Sequence, residues 1–158
     1  MPSKIILIGA STANLYAGKK LKELNYNPII FERKNNLKNE QNRLLPNKFL
    51  KKLGYVDSDD GKDQYVKLTD LKHYLAKDLN IRFNTDVLID YGKEEIIANN
   101  KQIDFDYAIV ITGHKEVISK DKKIFTYNYS LDNPKNHYAG NSLMTACEKV
   151  KGIIENIS

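Results

Sequence analysis

The chain opens on an apolar run. Ile5, Ile6, Leu7 and Ile8 are continuous within Lys4–Gly9, the pattern of a strand buried on both faces. Beyond Gly9 the period changes. Leu15, Leu21 and Leu24 share one helical face, with the small residues Ala17 and Gly18 beside them. This predicts a helix over Thr12–Leu24, ended by Asn25–Asn27. Pro28–Glu32 is again strand-like. Strand, helix and strand within about thirty residues form a βαβ unit, whose two strands run parallel.

Arg33–Asn42 is polar and reads as a loop, and Pro46–Leu53 as a short helix with proline at its start. Ser58–Asp63 is a surface turn. Thr69 is the expected N-cap of a helix reaching about Leu79, with Leu71, Leu75 and Leu79 on one stripe. Ile81–Phe83 follows as a short strand. Three further short runs, Asp86–Tyr91, Glu94–Ala98 and Lys101–Asp104, are separated by the turn pairs Gly92-Lys93 and Asn99-Asn100, which predicts an antiparallel meander. Tyr107–Thr112 is a second fully apolar strand, stopped by Gly113. A strand near Lys123–Thr126 and a final helix over Ser142–Ile157, led in by His137–Gly140, complete the pattern. The fold class expected is α/β, with a central parallel sheet, a small antiparallel β-meander on one side and helices on the other.

Composition narrows the function classes. At 158 residues a single domain over 1–158 is expected. The 25 Lys+Arg exceed the 20 Asp+Glu, for a net charge of +5. The excess is spread without a basic block, so a solvated lysine-rich surface is expected and no nucleic-acid partner. Cys147 is the only cysteine, which excludes an intrachain disulfide, a Cys-x-x-Cys redox pair and a cysteine-rich metal site. His73, His114 and His137 show no metal-ligand spacing and Asp59-Asp60 looks like a turn, so no metal is expected. No stretch approaches the ~20 apolar residues of a membrane span, and no signal peptide is expected, because the apolar run that follows Lys4 is too short. The expected location is cytoplasmic, with no membrane partner.

The junction after the first strand carries the candidate chemistry. In a G-x-G-x-x-G dinucleotide turn the first glycine makes the turn, the second admits the pyrophosphate, and the third lets helix and strand pack closely. Here the six positions are Gly9, Ala10, Ser11, Thr12, Ala13 and Asn14. Only the first glycine is present. Ser11 is small and its hydroxyl can bond a phosphate oxygen. Asn14 adds bulk at the packing position, where it must crowd the helix or turn outward. Glu32 ends the second strand 23 positions after Gly9, near the offset at which an acid accepts from a ribose hydroxyl, and Arg33 follows it. An ordinary βα turn with a surface glutamate remains the alternative at this point.

Three further stretches resemble one family. "QNRLLPNKFL", Gln41–Leu50, looks like the segment Y-x-R-P-P-L-S-K of flavoprotein reductases of the ferredoxin-reductase and apoptosis-inducing-factor type. These belong to the superfamily with two dinucleotide-binding domains that includes the pyridine nucleotide-disulfide oxidoreductases. The resemblance implies that Arg43 contacts FAD and that Lys48 lies near the flavin ring. A lysine there suits an anionic reduced flavin, and Lys48 is the catalytic candidate. "FDYAIVITGHKE", Phe105–Glu116, resembles the family's "YDYLVLATGSRP", which implies that Thr112 and Gly113 bring backbone to the cofactor. His114 stands where the family has serine, and Val87 matches the meander valine whose backbone meets the adenine. "HYAGNSLMTACEKVKGIIENI", His137–Ile157, resembles the closing turn and last helix, with Gly140 and Asn141 beside the ribityl chain. Asn141 replaces an aspartate and keeps an acceptor without its charge.

The resemblance implies a Rossmann-like FAD/NAD(P)-binding fold in a minimal form, with FAD as cofactor. About 25 residues separate Gly113 from Ala139, too few for an inserted NAD(P) domain of at least ~50 residues, and no C-terminal interface domain is expected. Electrons would come from a partner protein or a diffusible reductant. No cysteine lies in residues 33–50, which argues against thiol chemistry, and Cys147 reads as a core side chain. Two function classes remain open: an electron-passing flavoprotein, and a cofactor-free descendant that binds a protein or a smaller nucleotide. A homodimer is compatible with either.

Overall fold

The structure, a computed structural model, describes residues 3–112, 117–121, 123–128 and 139–157. Its centre is a six-stranded sheet. Strand β1 (Ile5–Ile8) lies in the middle, with β2 (Ile29–Phe31) and then β5 (Asn80–Arg82) on one side. On the other side stand β9 (Tyr107–Thr112), β11 (Ile124–Asn128) and β10 (Val117–Ile118). All neighbours are parallel except β10 on β11. The five parallel strands, taken in chain order, stand 5-4-1-2-3 across the sheet, the doubly wound Rossmann arrangement. In such a sheet the chain reverses direction across β1, and ligands bind in the crevice beyond the carboxyl ends of the strands at that point.

Alternation along β1 assigns the two faces. Ile5 and Leu7 enter a core shared with the helices, while Ile6 and Ile8 face a second core under the meander. The helical layer consists of α1 (Thr12–Glu23), α3 (Leu68–Ala76) and α4 (Ala139–Ile157), with α1 packed between the other two. The opposite layer is the antiparallel meander β6 (Val87–Asp90), β7 (Glu95–Ala98) and β8 (Lys101–Ile103). Ile96 and Ala98 are its buried contribution, and Tyr91 reaches across to bond the Thr126 hydroxyl at 2.6 Å. The sequence reading of both layers holds.

Three local expectations are corrected. The stretch read as loop and helix contains a strand, β3 (Asn42–Pro46), paired antiparallel with β4 (Asp63–Lys67), and the helix between them, α2 (Asn47–Lys52), begins only after Pro46. The pairing buries Leu45 and Val66 while leaving Leu44 and Tyr65 exposed, so neither strand shows the continuous apolar run that marked β1. Thr69 is not the N-cap of α3. Lys67 occupies that place, and the Thr69 hydroxyl instead donates to Asn39 O and accepts from Asn39 N, both at 2.7 Å. The final helix takes in Ala139, Gly140 and Asn141, which the sequence places in a preceding turn.

Candidate functional site

Gly9 ends β1. Its N–H still donates to Phe31 O at 2.8 Å, continuing the ladder with β2, and its φ of 92° then turns the chain where an L side chain would be strained. Ser11 is the N-cap of α1, its hydroxyl accepting from Asn14 N at 3.3 Å. The Thr12 and Ala13 N–H groups, at the positive end of α1, have no intrahelical acceptor. The Thr12 hydroxyl is buried and has no hydrogen-bond partner among the described residues.

Asn14 neither crowds the helix nor turns outward. It is fully buried, and its Nδ2 donates to Ile8 O at 2.9 Å and to Gly9 O at 2.8 Å. The amide therefore ties the helix back onto the strand end, where the glycine motif relies on bare contact. Close packing falls one helical turn later. A Cβ on Gly18 would stand 2.9 Å from Leu79 Cδ1, 3.3 Å from Ile30 Cδ1 and 3.4 Å from Leu7 Cδ1. The close packing of helix on strand that Asn14 was expected to disturb is thus met by the Asn14 amide itself and by Gly18.

Glu32, just past β2, reaches the same turn. Its Oε1 accepts from Ala10 N at 3.0 Å and its Oε2 from Lys34 N at 2.8 Å. Gly9, Ala10, Ser11 and Glu32 line one cleft of about 190 Å³ together with Lys34, Asn36, Leu37, Lys38 and Lys72. A carboxylate oxygen has more than one acceptor site, so Glu32 retains capacity for a ribose hydroxyl. The cleft combines a carboxylate, three lysines and a helix N-terminus, a donor set that fits a nucleotide diphosphate.

Lys72 is the member that the sequence reading missed. It is 7% exposed. On α3 the buried positions are Leu68, Leu71, Lys72 and Leu75, spaced i, i+3, i+4 and i+7. A lysine on that stripe was the available signal.

The other expected site residues are distributed as follows. Arg33 is exposed and pairs with Asp86 at 3.7 Å, which places it beside Val87 at the start of β6. Arg43 lies on β3, its guanidinium donating to Gln41 Oε1 and to Asn42 O. Lys48 is exposed in the first turn of α2. Neither lines the cleft of Gly9 and Glu32. Ala13 is buried in the first turn of α1. Thr112 ends β9, two positions beyond Val110, which pairs with Ile8 at the end of β1. Gly113, His114 and His137 lie outside the described residues, as do the side chains of Thr112 and Asn141. His73 is exposed on α3. Cys147 is buried, and that burial pushes its thiol up to about 12, far from the range of a reactive thiolate. No helix of the described residues is long and apolar enough to cross a membrane.

No family model and no curated protein matches this chain. Solved structures do. A variant of 2-methyl-3-hydroxypyridine-5-carboxylic acid oxygenase is similar at 14% identity over 69% of this chain and 39% of that one, with a TM-score of 0.56. CtdE in complex with FAD is similar at 18% identity over 70% of this chain and 38% of that one, with a TM-score of 0.52. Native FqzB is similar at 16% identity over 76% of this chain and 38% of that one, with a TM-score of 0.56. At these identities the likeness is one of fold. This chain spans less than two fifths of the length of those it matches.

Proposed function

We propose that this chain is a FAD-binding flavoprotein. The observation that carries the reading is the cleft at the carboxyl ends of β1 and β2, where the Gly9 turn, the open amides of α1 and the Glu32 carboxylate converge. The likeness to CtdE, whose structure holds FAD, supports it. The adenosine half belongs in this cleft, its ribose on Glu32 and its diphosphate at Ser11 and Ala13, with Arg33 and the backbone of Val87 beside the adenine. Thr112, Gly113, His114, Gly140 and Asn141 would hold the ribityl and flavin half, together with Arg43 and Lys48. The narrower assignment, to the ferredoxin-reductase type, is carried by the motif resemblance alone.

FAD would supply two-electron or one-electron carriage. The chain's own residues bind and orient it, and Lys48 adds a positive charge. The short segment between Gly113 and Ala139 leaves no room for an inserted NAD(P) domain, so the reading has electrons arriving from a partner protein or a diffusible reductant. An absorption spectrum with a FAD titration tests it. The expected result is a yellow protein with FAD preferred to FMN, because Glu32 and the Ser11 turn address the adenosine half that FMN lacks.

A second reading is a cofactor-free descendant that binds a protein or smaller nucleotide. It is favoured by the two Glu32 oxygens, both already holding backbone amides. A colourless protein that takes up no FAD at concentrations on the order of tens of micromolar would establish it over the first.

A further inference from the structure

An uncovered strand edge is a template for another strand. β3 pairs with β4 and also packs against α4, while no strand of the described residues pairs with the outer edge of β4. Two hydrogen bonds flank the β3–β4 ribbon, from Asn47 N to Lys62 O and from Leu68 N to Gln41 O, both at 2.9 Å. Hydrogen-bonded and non-hydrogen-bonded pairs alternate along an antiparallel ladder. Gln64 and Val66 therefore turn their backbone groups to β3, and Asp63, Tyr65 and Lys67 turn theirs to the open edge. The Lys67 carbonyl is committed to α3, of which Lys67 is the N-cap. The side chains of the same three residues are exposed. Tyr65 is 75% exposed, and Leu44 stands directly opposite it on β3 at 46%. Asp63 faces Pro46 across the ribbon. Lys67 meets Glu40 at 3.4 Å, and Lys38 meets the same carboxylate at 3.3 Å.

We propose that the edge of β4 pairs antiparallel with β4 of a second copy of this chain, about a two-fold axis at Tyr65. The two ribbons then form one four-stranded sheet. The order Asp63-Gln64-Tyr65-Val66-Lys67 carries the register. An axis at Tyr65 sets Asp63 opposite Lys67 of the second copy and, by symmetry, Lys67 opposite its Asp63. Each aspartate thereby joins two lysines that share the Glu40 carboxylate. Tyr65 exchanges N–H and C=O bonds with its counterpart, and Lys67 N–H donates to the Asp63 carbonyl of the second copy. Leu44 and Tyr65 of the two copies line up as one apolar row. No other axis on β4 sets the unlike charges opposite each other, and an axis at Asp63 or at Lys67 opposes like charges. The strand is five residues long, so the contact is small and the association weak and reversible. Arg43 and Leu45 lie on the other face of β3, and the pairing does not depend on bound FAD.

The test is sedimentation equilibrium of the purified chain, the Asp63→Lys and Lys67→Asp variants and the variant carrying both changes, with a thermal melt of each. Exposed ion pairs contribute little to a fold, so the melts should agree. The wild type should dimerise at concentrations on the order of a hundred micromolar. Each single variant opposes like charges across the axis and should associate about tenfold more weakly or worse. The double variant restores unlike charges and should regain the dimer. Mild oxidation of Tyr65→Cys should link two copies, because opposed residues of a hydrogen-bonded pair have Cα atoms about 5.5 Å apart, within reach of a disulfide. Cys147 is buried and should not compete. A wild type that stays monomeric at that concentration overturns the proposal. So does a dimer that the single variants leave intact or that the double variant fails to restore, and so does a Tyr65→Cys protein that does not cross-link.

Discussion

Asn14 donates to the carbonyl of Gly9 at 2.8 Å and, from the same nitrogen, to that of Ile8 at 2.9 Å. A residue that breaks the glycine motif therefore closes the turn that the motif is meant to make. Asn14→Gly would restore the third glycine of the motif. It should nevertheless destabilise the protein by about 2–3 kcal/mol, because two buried hydrogen bonds are lost and a glycine enters a helix. Asn14→Asp should cost more, since a carboxylate brings no donor to the two carbonyls. Urea unfolding of the three proteins checks this, and an Asn14→Gly variant as stable as the wild type would show that the bridge contributes nothing.

Gly18 and Gly152 offer a matched pair on two helices. The Cβ of Gly18→Ala would press on Leu79, Ile30 and Leu7, whereas nothing lies within 4 Å of a Cβ at Gly152. Overpacking costs about 1–3 kcal/mol, and alanine's better helix propensity returns about 1 kcal/mol. Gly18→Ala should lower the melting temperature and Gly152→Ala should raise it. The same sign at both positions would mean that helix propensity alone decides and that α1 has slack against the sheet.

Most of the framework was legible in the sequence, and for identifiable reasons. Strands buried on both faces have continuous apolar runs, and the Tyr107–Thr112 strand is found within its expected bounds. The meander was legible because its turns are local. Asn99 and Asn100 both adopt positive φ, at 48° and 65°, which asparagine tolerates. The β3–β4 pair was not legible, since its strands are half exposed and joined through a helix. The turn at Gly9 was visible as a candidate, but the inward bond of Asn14 and the arrival of Lys72 depend on tertiary packing that no local pattern encodes.

Besides the Tyr91–Thr126 bond, one carboxylate ties the meander to the turn of the β10–β11 hairpin. Glu94 accepts from the Ser119 hydroxyl and from the N–H groups of Asp121 and Lys123, both at 3.3 Å. The Ser119 bond foremost holds the Glu94 carboxyl below its ordinary value, while the hydrogen bond to Glu94 raises that of Asp121. Glu94 thus contributes stability that is present above its unfolded pKa and lost as pH falls through the depressed folded value. Asp121 has the opposite sign, contributing below its unfolded pKa and losing that contribution as pH rises through its raised folded value. A carboxyl-detected NMR titration should show the Glu94 midpoint below the ordinary glutamate value and that of Asp121 above the ordinary aspartate value. Ser119→Ala should move Glu94 upward, and an unmoved midpoint would mean that the serine does not hold it.

Lys48 and Arg43 separate binding from redox tuning. With the Gln41–Leu50 segment docked on the cofactor, Lys48→Met should lower the flavin reduction potential and leave FAD affinity largely intact. Arg43→Met should weaken binding by about 1.5–3 kcal/mol, the range for a lost charged hydrogen bond, with a smaller change in potential. Dye-coupled redox titrations beside binding isotherms read both quantities. A potential that ignores Lys48→Met would place that side chain away from the ring.

The position of β1 at the centre of the sheet also has a consequence for biosynthesis. Its partner on one side, β2, follows closely, but the other pairing joins Ile5 to Tyr107. At a synthesis rate of about 10 residues per second, β9 is made roughly ten seconds after β1. Throughout that interval the most apolar strand of the nascent chain has one edge unpaired, the condition in which strands seek other chains. The order in which the ribosome delivers the parts thus sets a period of vulnerability that the finished sheet no longer shows.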